Sequence, residues 1–478
     1  MARSDQSSGA GIVGYGAYVP YFRLDRKAIS TTLGMGGGRG SRSVASYDED
    51  TTSMGAEAAR MAMKSSPGVS SVDALLFATS APAYLDKTNA NAVHAALGLP
   101  GSVFAADLCG AVRSGVGAIL AAADSRRSTL VVTADCRNGL PGGSDESQGG
   151  DGGVALLFGH ADVLCELVGH ASATAEFLDS WRLPGASSSS VWEERFGEQE
   201  YVPLAASAIT AALKQTELTV DQIDHLIVSG VHTRAVGVIA KSAGVRAGVL
   251  ADDLTSSVGN WGTAATPLVL CDVLDRAGAG EIVVQVSVAD GVDVLVWRTT
   301  SVLATYRAAR TAPNVSAQIG GGNTSLSYPL FLTWKGHLNR EPPRRPDPDR
   351  PSGPPSARMT EWKFGFNGSR CLACGTRHLP PMRVCVNCHS VDEMTPERLA
   401  DVQATIATFT IDRLAFSLSP PVVSAIIDYD GGGRFNCELT DVDPGEVRIG
   451  NRVEMTFRRI LTGQGVHNYF WKAKPVRS

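Results

Sequence analysis

The 478-residue sequence lacks the features that mark several classes of protein. No apolar run approaches the roughly 20 residues that a membrane-spanning helix needs. The formal net charge is −5, so no overall positive field attracts nucleic acid or an anionic membrane surface. The first twenty residues do not follow the charged, apolar and small-residue order of a secretory signal. We therefore expect a cytoplasmic protein that binds neither membranes nor nucleic acid.

Cysteine is too sparse for a disulfide scaffold, because only nine cysteines are spread through the chain. An odd number of cysteines with one tight cluster is typical of a protein in a reducing compartment. The cluster suits a metal site, and one of the other cysteines could be a reactive thiol. The chain is long enough for two or three domains, each with its own core.

A proline-rich stretch divides the chain. Residues 341–355 contain seven prolines, and because proline fixes φ and removes backbone donors, they predict an extended chain. The proline-rich connector as a whole is expected over 341–358. Before it, buried strands alternate with helical stretches, which indicates a layered α/β body over 10–340. After the cysteine cluster, short strands separated by Gly, Asp and Pro predict a small all-β barrel over 396–478.

The α/β body contains an internal echo. CGAVRSGVGAILAAAD followed by STLVVTADC in the first half matches GNWGTAATPLVLCDVLDRAG followed by EIVVQVSVADG in the second. Each unit is a helix that opens on small residues, followed by a buried strand. The echo predicts a duplication with halves of about 10–165 and 166–340, and it places Cys109 and Asn260 at corresponding helix starts across a pseudo-two-fold axis.

Four of the cysteines have metal-ligand spacing. They form two C-x2-C pairs separated by ten residues, namely Cys371, Cys374, Cys385 and Cys388. Two such turns bring four thiolates around one ion, and soft thiolates suit Zn²⁺. A closed shell of four sulfurs leaves no position for water, so we predict a structural zinc ribbon over 359–395. The alternative is a loop with four free cysteines.

Three other residues lie at the ends of predicted elements and suit acyl chemistry. Cys109 lies where a buried strand turns into a helix, and a helix N-terminus lowers the pKa of a thiol. His232 follows the buried strand 225–230, and Asn260 opens a later helix; α/β sheets place their sites at such strand ends. A nucleophilic thiol needs a partner for protons and a donor to the oxyanion. The alternatives are an inert buried cysteine and a histidine on a surface turn.

Six segments, in order, resemble the thiolase superfamily, nearest the 3-hydroxy-3-methylglutaryl-CoA synthase and ketoacyl-ACP synthase III branches. They are GIVGYGAYVPYFRLDRKAI, YDEDTTSMGAEAARMAM, DLCGAVRSG, GDGGVALLFG, SGVHTRAVGVIAKSAG and SSVGNWGTAATPLVL. The resemblance implies a duplicated five-layer body, a homodimer, and an acyl group carried on Cys109 from an acyl-CoA or acyl carrier protein. It also implies that His232 and Asn260 bind the carbonyl of a second thioester. The N–H of Cys109 and the loop at Gly291 would form the oxyanion hole.

The segments FNGSRCLACG, LPPMRVCVNC and DVDPGEVRIGNRVEMTF resemble the zinc-ribbon and OB-fold proteins that accompany thiolase-like enzymes. The resemblance implies that an enzyme and its partner are fused here. The barrel has few aromatic residues next to basic ones, so it does not look like a nucleic-acid-binding OB domain. We expect it to hold the assembly together.

The sequence departs from the family at two points. Ser80 stands where hydroxymethylglutaryl-CoA synthases carry a glutamate, and a hydroxyl cannot exchange protons near neutral pH. Residues 287–294 lack the second cysteine of degradative thiolases. We therefore expect an acyltransferase that forms a C–C bond in a Claisen-type step. The alternatives are a hydroxymethylglutaryl-CoA synthase with its acid elsewhere, and a non-catalytic scaffold for a partner thiolase or ketosynthase.

Further residues are candidates for contact with the substrate. Ser80 and Gly291 belong to the segments expected around Cys109. Lys241 and Arg246 follow the histidine segment and could meet the phosphates of coenzyme A, although two solvated helix charges would look the same. Arg113, one helical turn after Cys109, reaches either the entrance of the site or a carboxylate such as Asp107.

Overall fold

The computed structural model of the chain describes residues 9–66, 71–344, 346 and 348–477. Positions 345 and 347 of the predicted connector and Ser478 at the end of the predicted barrel domain lie outside the described residues. Within the described ranges, no helix has both the length and the apolar character needed to span a membrane.

Strands and helices alternate through the first half of the body. In order they are β1 (Gly11–Tyr18), β2 (Phe22–Asp25), α1 (Lys27–Leu33), β3 (Ser41–Val44), α2 (Thr51–Lys64), β4 (Ala74–Thr79), α3 (Ala90–Leu97), β5 (Phe104–Cys109), α4 (Ser114–Ala123), β6 (Thr129–Cys136), α5 (Ser144–Gln148) and β7 (Asp151–Gly159). Helix α2 begins at a capping box, because the Asp50 carboxylate accepts from the Ser53 amide while the Ser53 hydroxyl accepts from the Asp50 amide.

The second half repeats the alternation. Its elements are β8 (Cys165–Ala173), β9 (Ser180–Trp181), β10 (Ser190–Val191), α6 (Glu194–Gln215), β11 (His225–Gly230), α7 (Thr233–Ser242), α8 (Thr255–Val258), α9 (Ala265–Leu274), β12 (Ile282–Val288) and β13 (Val292–Thr299). Three helices then lead to the connector: α10 (Val302–Ala309), α11 (Val315–Gly320) and α12 (Tyr328–Trp334).

The two halves form the predicted layered α/β body. Nine strands are hydrogen-bonded in the order β11-β12-β13-β8-β1-β7-β6-β4-β5, and the two half-sheets join at the single pair Ile12–Cys165. Helices α4 and α9 share an apolar core between the half-sheets. Helices α2 and α3 cover the outer face of the first half-sheet, and α6 and α7 cover that of the second.

The central layer brings the two halves into backbone contact. A Cβ atom at Gly115, in the first turn of α4, would lie 2.5 Å from the carbonyl oxygen of Thr263. Only a residue without a side chain allows that approach. The start of α4 and the turn before α9 are therefore packed directly against each other.

The connector is less extended than its prolines predict. Among the described residues, 341–352 contain neither helix nor strand, but two short helices follow, α13 (Gly353–Arg358) and α14 (Thr360–Lys363). The prediction of an extended chain over 341–355 is wrong for its last three residues, 353–355, which begin α13. Prolines occupy the first turn of α13, where their missing N–H would have no helical partner anyway.

The C-terminal part contains a small sheet and a closed barrel, as predicted. The small sheet pairs β14 (Asn367–Cys371) with β15 (Arg377–His378) and β16 (Met394–Arg398). The barrel has the strand order β17-β18-β19-β21-β20, built from β17 (Ala404–Asp412), β18 (Val422–Tyr429), β19 (Arg434–Leu439), β20 (Arg452–Gly463) and β21 (Val466–Pro475).

Buried ion pairs join the barrel to the body. The guanidinium of Arg458 lies 3.3 Å from a carboxylate oxygen of Asp48, 2.8 Å from one of Glu49 and 2.5 Å from one of Asp441. Lys472 lies 3.0 Å from Asp48. The exposed fraction of each of these side chains is at most 4%. Unpaired buried charges are strongly unfavourable, so the barrel and the acidic run before α2 stabilise each other.

Arg458→Leu should therefore destabilise the protein by about 3–5 kcal/mol, because it leaves buried carboxylates without their cation. Chemical unfolding measures the loss, and limited proteolysis at 341–352 should become faster as the barrel detaches. The matched control is Arg434→Leu in the same barrel, because its pair with Asp428 is exposed. We expect the control to change stability by less than about 1 kcal/mol. Equal decreases in the free energy of unfolding of the two variants would contradict this account of the interface.

Candidate functional site

Cys109 is the last residue of β5, which is the terminal strand of the large sheet. Its in-register neighbour on β4 is Thr79, whose carbonyl oxygen accepts from the amide of Gly110 at 3.2 Å. The side chain of Cys109 is exposed. Helix α4 begins only at Ser114, so the predicted position at a helix N-terminus is wrong by five residues.

The electrostatics of the thiol also differ from the prediction. Partial burial, together with the carboxylates of Asp107 and Asp135, raises the pKa of Cys109 to about 11. The predicted lowering by the helix dipole is therefore wrong in direction. At neutral pH the side chain is a thiol, and the negative charge of a thiolate would face two carboxylates.

His232 lies at the predicted strand end and caps α7. Its Nδ1 accepts from the backbone amide of Ala235 at 3.1 Å. Because Nδ1 is an acceptor, the neutral imidazole carries its proton on Nε2. His232 therefore presents Nε2–H as a donor, which suits binding to a carbonyl oxygen.

The start of helix α6 and the segment before it pack on His232. The point where a Cβ atom of Gly197 would stand lies 2.7 Å from Nε2 of His232 and 2.4 Å from Oδ1 of Asp179. The ring of Tyr201 is 5.9 Å from the imidazole ring, measured between centroids. Burial raises the pKa of Asp179. The sequence did not predict Asp179, because it lies in an irregular segment, nor the packing of α6 on His232, because that contact joins distant parts of the chain.

The side chain of Asn260 is fixed by two backbone groups. Its Nδ2 donates to the carbonyl oxygen of Gly230 at 2.7 Å, and its Oδ1 accepts from the amide of Gly262 at 2.8 Å. The amide nitrogen carries two hydrogens, so it can donate to a second acceptor as well. These contacts tie Asn260 to the carboxyl end of β11, two residues before His232.

A small cavity lies where the segments of the three candidates meet. It is lined by Val112, Arg113 and Val116, by Ser229 and Gly230, by Gly262, Thr263, Ala265 and Thr266, and by Ser287, Val288, Ala289 and Asp293. The loop after Cys109, the strand end before His232 and the turn after Asn260 therefore form one cleft. The three candidates adjoin this cavity in sequence but do not line it. Their chemical roles remain predictions.

Arg113 connects the loop after Cys109 to the loop at Gly291. Its Nε and one terminal nitrogen donate to the Asp293 carboxylate at 2.8 and 3.0 Å, and its other terminal nitrogen donates to the Asp290 carbonyl at 2.9 Å. Gly291 has φ +124°, and a Cβ atom added there would lie 2.7 Å from a terminal nitrogen of this guanidinium. Asp293 is thus the carboxylate that Arg113 reaches, rather than Asp107.

The other predicted contact residues are dispersed. Ser80 is buried just beyond β4, next to the strand of Cys109. Arg246 donates to the carbonyl oxygen of Ile223 near the amino end of β11, which is the opposite end from the cleft. Lys241 is exposed in the last turn of α7, about 13 Å along the helix from His232.

The four predicted metal ligands form one cluster. Their sulfur atoms all lie within 4.8 Å of one another. The sulfur of Cys371 is 3.6 Å from that of Cys388, and the sulfur of Cys374 is 3.5 Å from that of Cys385. A tetrahedral thiolate shell with metal–sulfur bonds of about 2.3 Å has edges of about 3.8 Å. The cluster therefore fits a metal ion.

Known proteins resemble both parts of the chain. The hydroxymethylglutaryl-CoA synthase of Methanothermobacter thermautotrophicus is 29% identical over 349 residues, covering 69% of this chain and 99% of that protein. The synthase of Thermococcus sibiricus is 29% identical over 291 residues, covering 59% and 83%. A family model described as "ChsH2, C-terminal OB-fold domain" matches residues 397–458.

Solved structures agree on the fold. MvaS in complex with 3-hydroxy-3-methylglutaryl coenzyme A superposes with a TM-score of 0.55 at 18% identity, covering 72% of this chain and 96% of that one. The 3-oxoacyl-(acyl carrier protein) synthase III of Pseudomonas aeruginosa gives 0.54 at 20% identity, covering 61% and 98%. PksG, an HMG-CoA synthase from Bacillus subtilis, gives 0.58 at 15% identity, covering 69% and 89%.

The body of the protein has the thiolase-like fold. The chain is similar in sequence to the hydroxymethylglutaryl-CoA synthases and shares the fold of its body with the synthase III proteins. A four-cysteine cluster and a C-terminal region that matches the ChsH2 OB-fold domain follow this body. Both predicted family resemblances are confirmed.

The raised pKa of Cys109 predicts how alkylation of this thiol depends on pH. With a pKa of about 11, the thiolate is about one part in 10,000 at pH 7, and its fraction rises about tenfold per pH unit up to pH 11. The rate with iodoacetamide, followed by mass spectrometry of the Cys109 peptide, should rise in the same way. In the unfolded chain the same peptide should titrate near pH 8.5. If the alkylation rate of the folded protein instead stops rising below pH 9, the pKa of the Cys109 thiol is not raised and this account of the thiol is wrong.

Proposed function

We propose that the protein is an acyltransferase that carries an acyl group on Cys109 and transfers it to a carbon nucleophile in a Claisen-type step. The observation that carries this proposal is the meeting of the Cys109 loop, the Gly291 loop and the segments of His232 and Asn260 around one cleft. Sequence similarity to proteins named hydroxymethylglutaryl-CoA synthase supports it.

In the first step, the sulfur of Cys109 attacks the carbonyl carbon of an acyl-CoA or acyl carrier thioester. The bond to the departing sulfur breaks, and the thiol proton ends on that sulfur, so atoms and charge balance. The amides of Cys109 and Gly291 would donate to the oxyanion, and Arg113 would hold these two loops in register. A thiol of high pKa forms a strongly nucleophilic thiolate, so proton removal and attack must be closely coupled.

In the second step, Nε2–H of His232 and Nδ2–H of Asn260 would donate to the carbonyl oxygen of the second thioester. Those bonds stabilise the negative charge that develops when its α-carbon loses CO₂ or a proton. The carbanion attacks the acyl carbonyl, and Cys109 leaves as a thiolate. This thiolate takes up the proton that the α-carbon lost or, where CO₂ was lost instead, a proton from water.

Hydroxymethylglutaryl-CoA synthesis is the second candidate, because the curated relatives bear that name. Ser80 argues against it, since a serine hydroxyl does not act as a general acid near pH 7. Incubation with acetyl-CoA and acetoacetyl-CoA decides between the two, because only a hydroxymethylglutaryl-CoA synthase releases the branched product.

We also propose two features of the assembly. The four-cysteine cluster holds a structural Zn²⁺, because four thiolates suit zinc and leave no position for a substrate. The protein forms a homodimer through β5, because this terminal strand has an open edge and its Phe104 is 53% exposed.

The acyl-enzyme is directly testable. Intact-mass spectrometry after incubation with short acyl-CoAs should show one added acyl group per chain, placed on Cys109 by peptide mapping. Cys109→Ala should abolish the addition, whereas Cys437→Ala in the barrel should retain it. A failure of every donor to label wild-type protein, or equal labelling of the Cys109 variant, would refute acyl transfer through this thiol.

The metal is a separate test. Purified protein should contain about one zinc per chain, and Cys374→Ser should lose most of it, because three thiolates hold the ion far less tightly than four. Elemental analysis measures this, and amide exchange in β14–β16 should accelerate in the variant. Cys437→Ala, outside the cluster, should keep its zinc. Folded wild-type protein with no stoichiometric metal would rule out the structural role.

A further inference from the structure

Two guanidinium groups converge on Ser80, beside the strand of Cys109. A terminal nitrogen of Arg137 donates to the Ser80 hydroxyl at 3.2 Å, and a terminal nitrogen of Arg182 donates to the Ser80 carbonyl oxygen. Ser80 directly follows Thr79, the in-register neighbour of Cys109. Both guanidinium groups therefore bind the residue that follows the in-register neighbour of the proposed nucleophile.

No carboxylate neutralises this pair at close range. Among the described residues, neither Arg137 nor Arg182 has an ion pair with a carboxylate, whereas Arg113 is paired with Asp293. Two like charges on one residue repel each other, and an anion between them would remove that cost.

The nearest buried carboxylate is already occupied. Asp135 accepts from the amide and hydroxyl groups of its neighbours: Oδ1 from the Ser80 amide and the Thr79 hydroxyl, and Oδ2 from the Thr263 amide. It is fully buried behind Ser80. Two guanidinium groups beside one carboxylate leave a net positive charge on a wall formed by Ser80, Arg137 and Arg182, which adjoins the cleft at Gly262.

The wall is open to a ligand. Arg137 is half-buried and Arg182 is exposed. The side chain of Arg137 passes Gly262, where an added Cβ atom would lie 3.3 Å from Cδ of the arginine. Gly262 lines the cleft and donates its amide to Asn260. Arg137 therefore runs from the turn after Asn260 to Ser80 at the end of β4.

We propose that Arg137 and Arg182 bind the free carboxylate of an acyl group whose other end is the thioester carried by Cys109. The substrate class is the monothioester of a dicarboxylic acid, such as a succinyl or glutaryl group. A planar guanidinium can bind both oxygens of a carboxylate, and that geometry suits this role. This inference rests on the proposed function, because it assumes that Cys109 is acylated.

The test compares two donors with four-carbon acyl groups, succinyl-CoA and butyryl-CoA, which differ in the terminal carboxylate. The measured quantity is the rate of Cys109 acylation, followed by intact-mass spectrometry. Wild-type protein should react at least tenfold faster with succinyl-CoA. Arg137→Gln should remove most of this preference and leave the butyryl rate within about twofold. Arg182→Gln should reduce the preference, and Arg127→Gln, an exposed arginine after α4, should leave it unchanged.

Phosphate groups of coenzyme A are the other anion that could occupy the wall. The succinyl and butyryl thioesters of N-acetylcysteamine carry no phosphate. Wild-type protein should still be acylated faster by the succinyl thioester, and Arg137→Gln should still remove most of that preference. If Arg137→Gln slows acylation by both CoA esters equally and does not slow acylation by the N-acetylcysteamine thioesters, the arginine binds phosphate. That result would overturn the proposal.

The remaining outcomes are also decisive. Equal slowing of all four donors in Arg137→Gln would assign the arginine a structural role and overturn the proposal. Acylation of wild-type protein without a preference for succinyl groups would overturn this inference but leave the proposed function standing. The absence of acylation with any donor would instead refute the proposed function itself.

Discussion

The candidate site depends on the direct backbone contact between the start of α4 and the turn before α9. Gly115 has no side chain, so the carbonyl of Thr263 can approach it closely. That contact joins the first half of the body to the second at the level of the cleft. Cys109, the last residue of β5, lies five residues before Ser114, and Asn260 lies three residues before Thr263. Separation of these segments would separate the proposed nucleophile from the proposed carbonyl-binding groups.

The barrel is an integral part of the same structure. Its buried Arg458 binds the acidic run that leads into α2, and its Tyr469 donates a hydrogen bond to the Asp50 carboxylate that also caps this helix. One apolar core continues from α2 and α3 into the barrel strands. The ionic contacts and the shared core fix the barrel on the outer face of the first half-sheet. Fusion of the two parts in one chain keeps them at a fixed ratio.

Much of the fold was predictable from the sequence because its strands are short buried runs and its helices carry small apolar residues. The strands at 74–79 and 129–136 and the helix at 51–64 follow from local patterns, and so does the four-cysteine spacing. The position of the thiol relative to α4 did not follow, because an irregular turn at Gly110 with φ +112° separates them. Without the helix dipole, burial and the neighbouring carboxylates determine the direction of the pKa shift.

The rest of the site could not be predicted because its contacts join distant parts of the chain. Arg113 pairs with Asp293, 180 residues later. Arg137 and Arg182 meet at Ser80, which no local pattern connects to either arginine. Asp179 lies in a segment without periodic structure and packs near His232. Such contacts depend on how the loops are folded, and loop paths carry little signal in a single sequence.

The central claim is that the sulfur of Cys109 carries an acyl group that reacts at the cleft between the segments of Cys109, His232 and Asn260. A crystal structure of the protein after exposure to an acyl-CoA tests this claim most directly. We predict continuous density from the Cys109 sulfur to the acyl carbon, with the carbonyl oxygen within hydrogen-bonding distance of the Cys109 and Gly291 amides. An acyl group bound elsewhere, or a Cys109 sulfur that faces away from the imidazole of His232, would contradict the account.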